Sequence, residues 1–192
     1  MTRGSRWVVA GAALGTVLLA GCDSSGGDQP SPSATSASPS ASPSSSPSPS
    51  PSSSGPEIPA AAREQTPAGA EAYVEYFFDQ FNVAWTKPQP GLIKSMGTSG
   101  CEFCANSEDT TQKLADKQQR YAEEPVRLNE AQSFGGAPEG EQYVRIKFTQ
   151  SGARVVDSSG KEVARDKKLT ADANAALRWV DQRWLVRGIE RG

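Results

Sequence analysis

No histidine occurs in the 192 residues. That absence removes Ser-His-Asp and Cys-His catalysis, His-ligated zinc and the paired histidines of metalloprotease helices. Cysteine is scarce as well: Cys22, Cys101 and Cys104 are the whole complement. Long apolar runs are also lacking. The longest, residues 7–20 (WVVAGAALGTVLLA), would span about 21 Å as a helix, short of the ~30 Å hydrocarbon core of a bilayer. Neither sign of charge dominates, with 20 Lys and Arg against 22 Asp and Glu. A nearly balanced surface offers no electrostatic case for nucleic acid, and none is expected as a partner.

What is present is unevenly distributed. Residues 30–56 contain 14 Ser and 8 Pro, with no aromatic, Leu, Ile, Val or charged residue. Such a tract cannot bury enough apolar surface to offset the entropy of ordering it. Before it, Arg3 and Arg6 precede the short apolar run, and small residues follow, as in a secretory signal. Leu19-Ala20-Gly21-Cys22 then resembles a bacterial lipobox, in which the Cys is lipidated and becomes the new N-terminus. The alternative is an ordinary secretory signal with an incidental Cys. Two acyl chains on Cys22 would satisfy the requirement for stable anchoring. The expected organisation is a lipoprotein signal over residues 1–21 and a lipidated Cys with a Ser/Pro-rich linker over 22–56. One α+β domain is expected over 57–192. The 34 residues after Cys22 span about 30–35 Å as a flexible coil and about 105 Å as polyproline II. The chain is thus expected at the extracytoplasmic face of the cell membrane.

In the remaining residues, Thr66-Pro67 reads as a helix start, a capping residue followed by Pro at the first helical position. Tyr73, Val74, Phe77, Phe78, Phe81, Ala84 and Trp85 recur at steps of one, three and four, predicting one apolar face on a helix of about 19 residues. Residues 92–96 predict a further helical turn. A second helix is expected over about 104–123, with Asp109–Lys113 and Asp116–Arg120 as ion pairs and Thr111, Leu114, Ala115, Gln118 and Tyr121 as its inward stripe. Beyond Pro125 the period changes to two. Residues 126–134, 143–149, 153–156, 161–168, 173–179 and 184–189 read as strands, with hairpin turns at 157–160 and 181–183. Helices followed by antiparallel strands predict an α+β fold: a long N-terminal helix and a second helix packed on one face of a curved antiparallel sheet. This element order resembles the NTF2-like or cystatin-like arrangement, which can leave a cone-shaped pocket between helix and sheet.

A closer resemblance lies in the string Ala62, Thr66, Gly69, Ala70, Ala72, Tyr73, Val74 and Tyr76, followed by Asn82-Val83-Ala84 and by Cys101 and Cys104. It is similar to a family of short actinobacterial lipoproteins known as a domain of unknown function, number 6318. The resemblance implies the envelope address and the architecture but no chemistry.

Two places invite a chemical reading. With Cys22 assigned to lipid, Cys101 and Cys104 remain in a disulfide-permissive compartment, at a spacing that a turn brings within bridging distance. A structural disulfide is the plain reading. A redox pair with Cys101 at a helix N-terminus is the sharper one, although no βαβ pattern surrounds it and Glu102 would oppose a thiolate. The second place is the cone, which Tyr73, Tyr76, Phe77, Trp85, Tyr121, Trp179 and Trp184 would line unless they simply fill the core. Asp79 is the one helical carboxylate to nominate there for acid–base work, but its spacing from Phe81 turns it toward the polar face. Two main function classes follow: a non-enzymatic tethered module binding an envelope protein or small ligand, and a small pocket enzyme. A thiol–disulfide protein is the third possibility. No cofactor or metal is expected.

Overall fold

The computed structural model describes residues 57–192. The signal, Cys22 and the linker lie outside the described residues.

Thr66 caps the first helix as its spacing predicts: the side chain accepts a hydrogen bond from the Gly69 N–H at 3.0 Å, and Pro67 opens the helix. This helix, α1 (Pro67–Thr86), buries Ala70, Tyr73, Val74, Phe77, Phe78, Phe81 and Ala84 along the expected stripe. A 3-10 turn, Ala60–Arg63, precedes it and tucks Ala62 into the core. After the Lys87–Gly91 break, α2 (Leu92–Ser95) supplies the anticipated extra turn. Its first amides are held by the Glu108 carboxylate, which accepts from the Gly91 and Lys94 N–H groups.

The third helix differs from expectation at both ends. α3 runs Glu102–Asp116, beginning at Cys101, whose sulfur accepts from the Cys104 N–H. It ends early because Gln118 takes a left-handed conformation (φ 51°), while the Gln118 and Gln119 N–H groups donate back to the Ala115 and Leu114 carbonyls. That is a Schellman closure built without glycine. Tyr121 therefore lies not on a helix but on the two-residue strand β1 (Arg120–Tyr121). Arg120, already in β1, lies beyond the helix that was to pair it with Asp116; Gln112 bonds the Asp116 carboxylate instead, at 2.8 Å.

The strands form two sheets. β2 (Val126–Phe134), β3 (Glu141–Gln150), β6 (Leu169–Val180) and β7 (Arg183–Arg191) make an antiparallel four-stranded sheet in that order. β4 (Arg154–Val156) and β5 (Glu162–Arg165) form the expected hairpin. It does not extend the main sheet but pairs with β1 in a separate three-stranded one. The helix-facing positions of the main sheet are Val144, Ile146, Ala173, Ala175 and Leu177, in the predicted alternation. Alanines at the centre of β6 leave room above the sheet for the rings of α1 in the same core. Irregular registers at Leu128/Glu130 in β2 and at Ala176/Leu177 between β6 and β7 bend the sheet. Asp181 and Gln182, with φ 49° and 60°, make the tight β6–β7 turn.

The α+β class and the helix-on-sheet arrangement thus stand as the pattern predicts. Two strained positions give a direct check. Gln118→Gly should raise stability by about 0.5–1 kcal/mol, because a left-handed backbone costs glycine little. Gly69→Ala should do the opposite: an added Cβ would lie 2.0 Å from the Glu64 carbonyl oxygen, so backbone must move. A loss of about 2–4 kcal/mol is expected in urea unfolding, well above the ~1 kcal/mol for removing the Thr66 cap.

Candidate functional site

Three regions collect the residues singled out above. The first is the corner between α2 and α3. Residues 96–98 run alongside β7, where the Val186 N–H donates to the Met96 carbonyl and the Thr98 N–H to the Val186 carbonyl, both at 2.9 Å. The Tyr73 hydroxyl donates to the same Met96 carbonyl at 3.3 Å. The chain then turns through Thr98, whose carbonyl accepts the Cys101 N–H, into α3. Cys101 and Cys104 form a disulfide with their Cα atoms 5.2 Å apart, and each is 3% exposed. Gly97 packs directly on it: a Cβ there would lie 2.5 Å from the Cys104 sulfur. Lys94, Thr98, Glu108 and Asp109 are among the residues rimming a groove of about 400 Å³ that reaches the bridge.

The second region is the set of seven aromatic residues. Tyr73, Tyr76, Phe77, Tyr121 and Trp184 are buried, and Trp85 and Trp179 half-buried. All but Tyr121 belong to, or pack against, the main hydrophobic cluster, and Tyr121 belongs to a smaller one beside it. Tyr73 meets Tyr76 with centroids 6.0 Å apart, Trp179 meets Trp184 edge-on at 5.0 Å, and Trp85 stacks on Tyr121 at 5.2 Å. The polar ends of Trp184, Trp85 and Tyr121 are bonded to the chain around them. Trp184 Nε1 donates to the Glu64 carbonyl at 2.9 Å, Trp85 Nε1 to the Ser107 carbonyl at 3.4 Å, and the Tyr121 hydroxyl to Asp166 at 2.9 Å. Burial pushes the Tyr73 phenol far above its usual range; burial and then the bond to Asp166 do the same for Tyr121. Both hold their protons at neutral pH. None of the seven lines the groove at the disulfide or the one between α1 and β2.

The third region lies between α1 and β2. Asp79 is exposed there, on the polar side of α1, with its carboxyl raised by partial burial and by the charge of Glu124. Glu75, Glu124 and Glu130 share the groove. The off-face position of Asp79 and Glu75 was legible from helical spacing; their meeting with Glu124 and the β2 edge needed the tertiary fold. Among the described residues no cluster of three His, Cys, Asp or Glu side chains forms a metal site, and no helix is long and apolar enough to cross a membrane.

A sequence profile described as a family of unknown function, DUF6318, matches residues 41–190. The chain belongs to that family. No curated protein matches it. Among solved structures, the DUF6318 chain is similar to the intermembrane space region of the chloroplast protein ARC6. That likeness has 12% identity and a TM-score of 0.48, over 67% of this chain and 99% of the other. It is also similar to an NTF2-like superfamily protein from Salmonella enterica serovar Typhimurium LT2 (8%, 0.41, 65% and 91%). A cystatin-fold protein of unknown function from Nostoc punctiforme gives 12%, 0.40, 65% and 89%.

The motif residues of the DUF6318 chain have structural work. Ala62, Ala70, Tyr73 and Val74 are core, Thr66 is the cap, and Gly69 permits a backbone contact. Asn82, itself buried, accepts the Val126 N–H at 3.2 Å and donates to the Val126 carbonyl at 2.7 Å, pairing a helix side chain with a strand. Replacing Asn82 with Leu would strand both groups and should cost about 2–4 kcal/mol in urea unfolding. Replacing Cys101 and Cys104 with Ser should cost only about 1–2 kcal/mol, as befits a very short loop. In the wild-type protein, thiol labelling under native conditions should find neither sulfur free.

Proposed function

We propose that this DUF6318 chain is a lipid-anchored extracytoplasmic protein whose folded domain acts by binding rather than by catalysis. Cys22 carries the anchor and the Ser/Pro-rich linker holds the domain away from the membrane. The observation that carries the reading is the pairing of a lipobox-like Leu19-Ala20-Gly21-Cys22 with a buried disulfide. Both belong to the exported side of a cell, where bridges form and persist.

The disulfide is read as structural. Both cysteines are buried, Gly97 packs on the Cys104 sulfur, and the bridge pins the segment that lies along β7. The motif residues are engaged in capping, core packing and strand pairing, which favours a module recognised through its surface. Its ligand is a protein or small molecule of the envelope rather than nucleic acid, consistent with the balanced charge.

The anchor is tested by following fatty-acid incorporation in cells. The wild-type chain should be labelled and shortened at the Gly21–Cys22 bond. Cys22→Ala should remain unlabelled and uncleaved. Labelling and normal maturation of the variant would overturn the anchor. For the bridge, equilibration against a dithiothreitol series should give a potential below about −300 mV, as for structural disulfides; a value near −200 mV would assign the pair to thiol chemistry.

A further inference from the structure

β2 is an edge strand of the four-stranded sheet, with β3 on one side and, among the described residues, no strand on the other. Its outward backbone groups are engaged only at the two ends. Near the start, both the N–H and the carbonyl of Val126 are taken by the Asn82 side chain. Near the finish, the Ser133 N–H donates to the Glu71 carboxylate at 2.7 Å. Ladder alternation, shifted by the irregularity between Leu128 and Glu130, turns the main-chain groups of Leu128 and Ala131 the same way. Among the described residues, no hydrogen bond meets those groups on that side. Asn82 and Glu71 thus stand where the ends of a neighbouring strand would be.

Between them runs a groove of about 300 Å³, walled by α1 on one side and residues 126–131 of β2 on the other. Phe78 supplies apolar surface, and Glu75, Asp79, Glu124 and Glu130 supply carboxylates. Arg127 is the one cation lining it. None of the four carboxylates joins an ion pair among the described residues. The Asp79 carboxyl is raised by burial and then by the neighbouring charge of Glu124.

We propose that this groove receives an extended, basic peptide segment of a partner protein, which adds a strand to the β2 edge and sets Lys or Arg side chains against the four carboxylates. Main-chain hydrogen bonds to Leu128 and Ala131 would provide register, and the charges would provide selectivity. A second copy of this chain fits poorly, because pairing two β2 edges about a two-fold axis brings the same acidic residues together. The slot rests on the reading of the domain as a binding module. The fatty-acid test of the anchor involves no peptide, so the two can fail separately.

The test uses the full chain in detergent micelles and a labelled peptide of alternating Lys and Val, six residues long. The proposal expects saturable binding, slowed hydrogen exchange at the Leu128 and Ala131 amides, and at least tenfold weaker binding by a peptide N-methylated on alternate residues. Asp79→Lys with Glu124→Lys should weaken binding at least tenfold, and the milder Asp79→Asn with Glu124→Gln should weaken it severalfold if the reversal impairs folding. Binding should also fall as the pH drops through the titration of Asp79, since protonation removes a counter-charge. No binding, indifference to N-methylation or to charge, or protection appearing elsewhere would overturn the proposal. So would protection of Leu128 and Ala131 that rises with protein concentration in the absence of peptide, which would assign the edge to a second copy.

Discussion

The carbonyl of Glu64 is where three parts of the chain are tied together. It accepts the indole N–H of Trp184 from β7 and the N–H of Thr66, and it lies so close to Gly69 that no side chain fits there. The last strand, the turn before α1 and the first turn of α1 are thereby held at one point. Everything built on the position of α1 follows from it. The aromatic stripe shares one core with the alanines of β6, Phe78 stacks on Phe148 of β3, the Tyr73 hydroxyl reaches Met96, and Asn82 arrives opposite Val126. Glycine at position 69 is a steric requirement, since backbone oxygen has no room to yield.

From that anchorage the fold manages the two edges of its main sheet differently. β7 is shielded where residues 96–98 run beside it, backed by the disulfide and by Gly97 packed against sulfur. β2 is covered only at its ends, by side chains that imitate a strand, and its middle faces an acidic groove. An open edge invites pairing with any extended chain; the carboxylates beside it repel acidic chains and other copies alike, and so restrict what can pair there.

Much of this was legible from residue order alone. Thr66-Pro67, the one-three-four spacing of the aromatics and the alternation through Val144, Ile146, Ala173 and Leu177 each carry a local physical signal, and each element formed as its signal implies. α3 ends short of its residue pattern because its stop is a left-handed Gln118, where sequence preference would place glycine or asparagine. Tyr121, helical by spacing alone, therefore stands on β1. The separate small sheet escaped notice because strand spacing does not say which strands pair. The acidic groove joins Asp79 to Glu124 and Glu130, residues brought together only by the packing of α1 on β2. The Cys101–Cys104 pairing was readable, since cysteines three apart at a helix start are already neighbours.

The small sheet has its own modest core of Leu114, Tyr121, Ala153 and Val155, joined to the main one through Trp85 stacked on Tyr121. Every residue of its outer strand β5 is exposed. With so little apolar surface of its own, this hairpin forms the least cooperative part of the domain, able to open while the four-stranded sheet stays closed. Such an opening would part Tyr121 from Trp85 and uncover the end of α1, the helix that also walls the β2 groove.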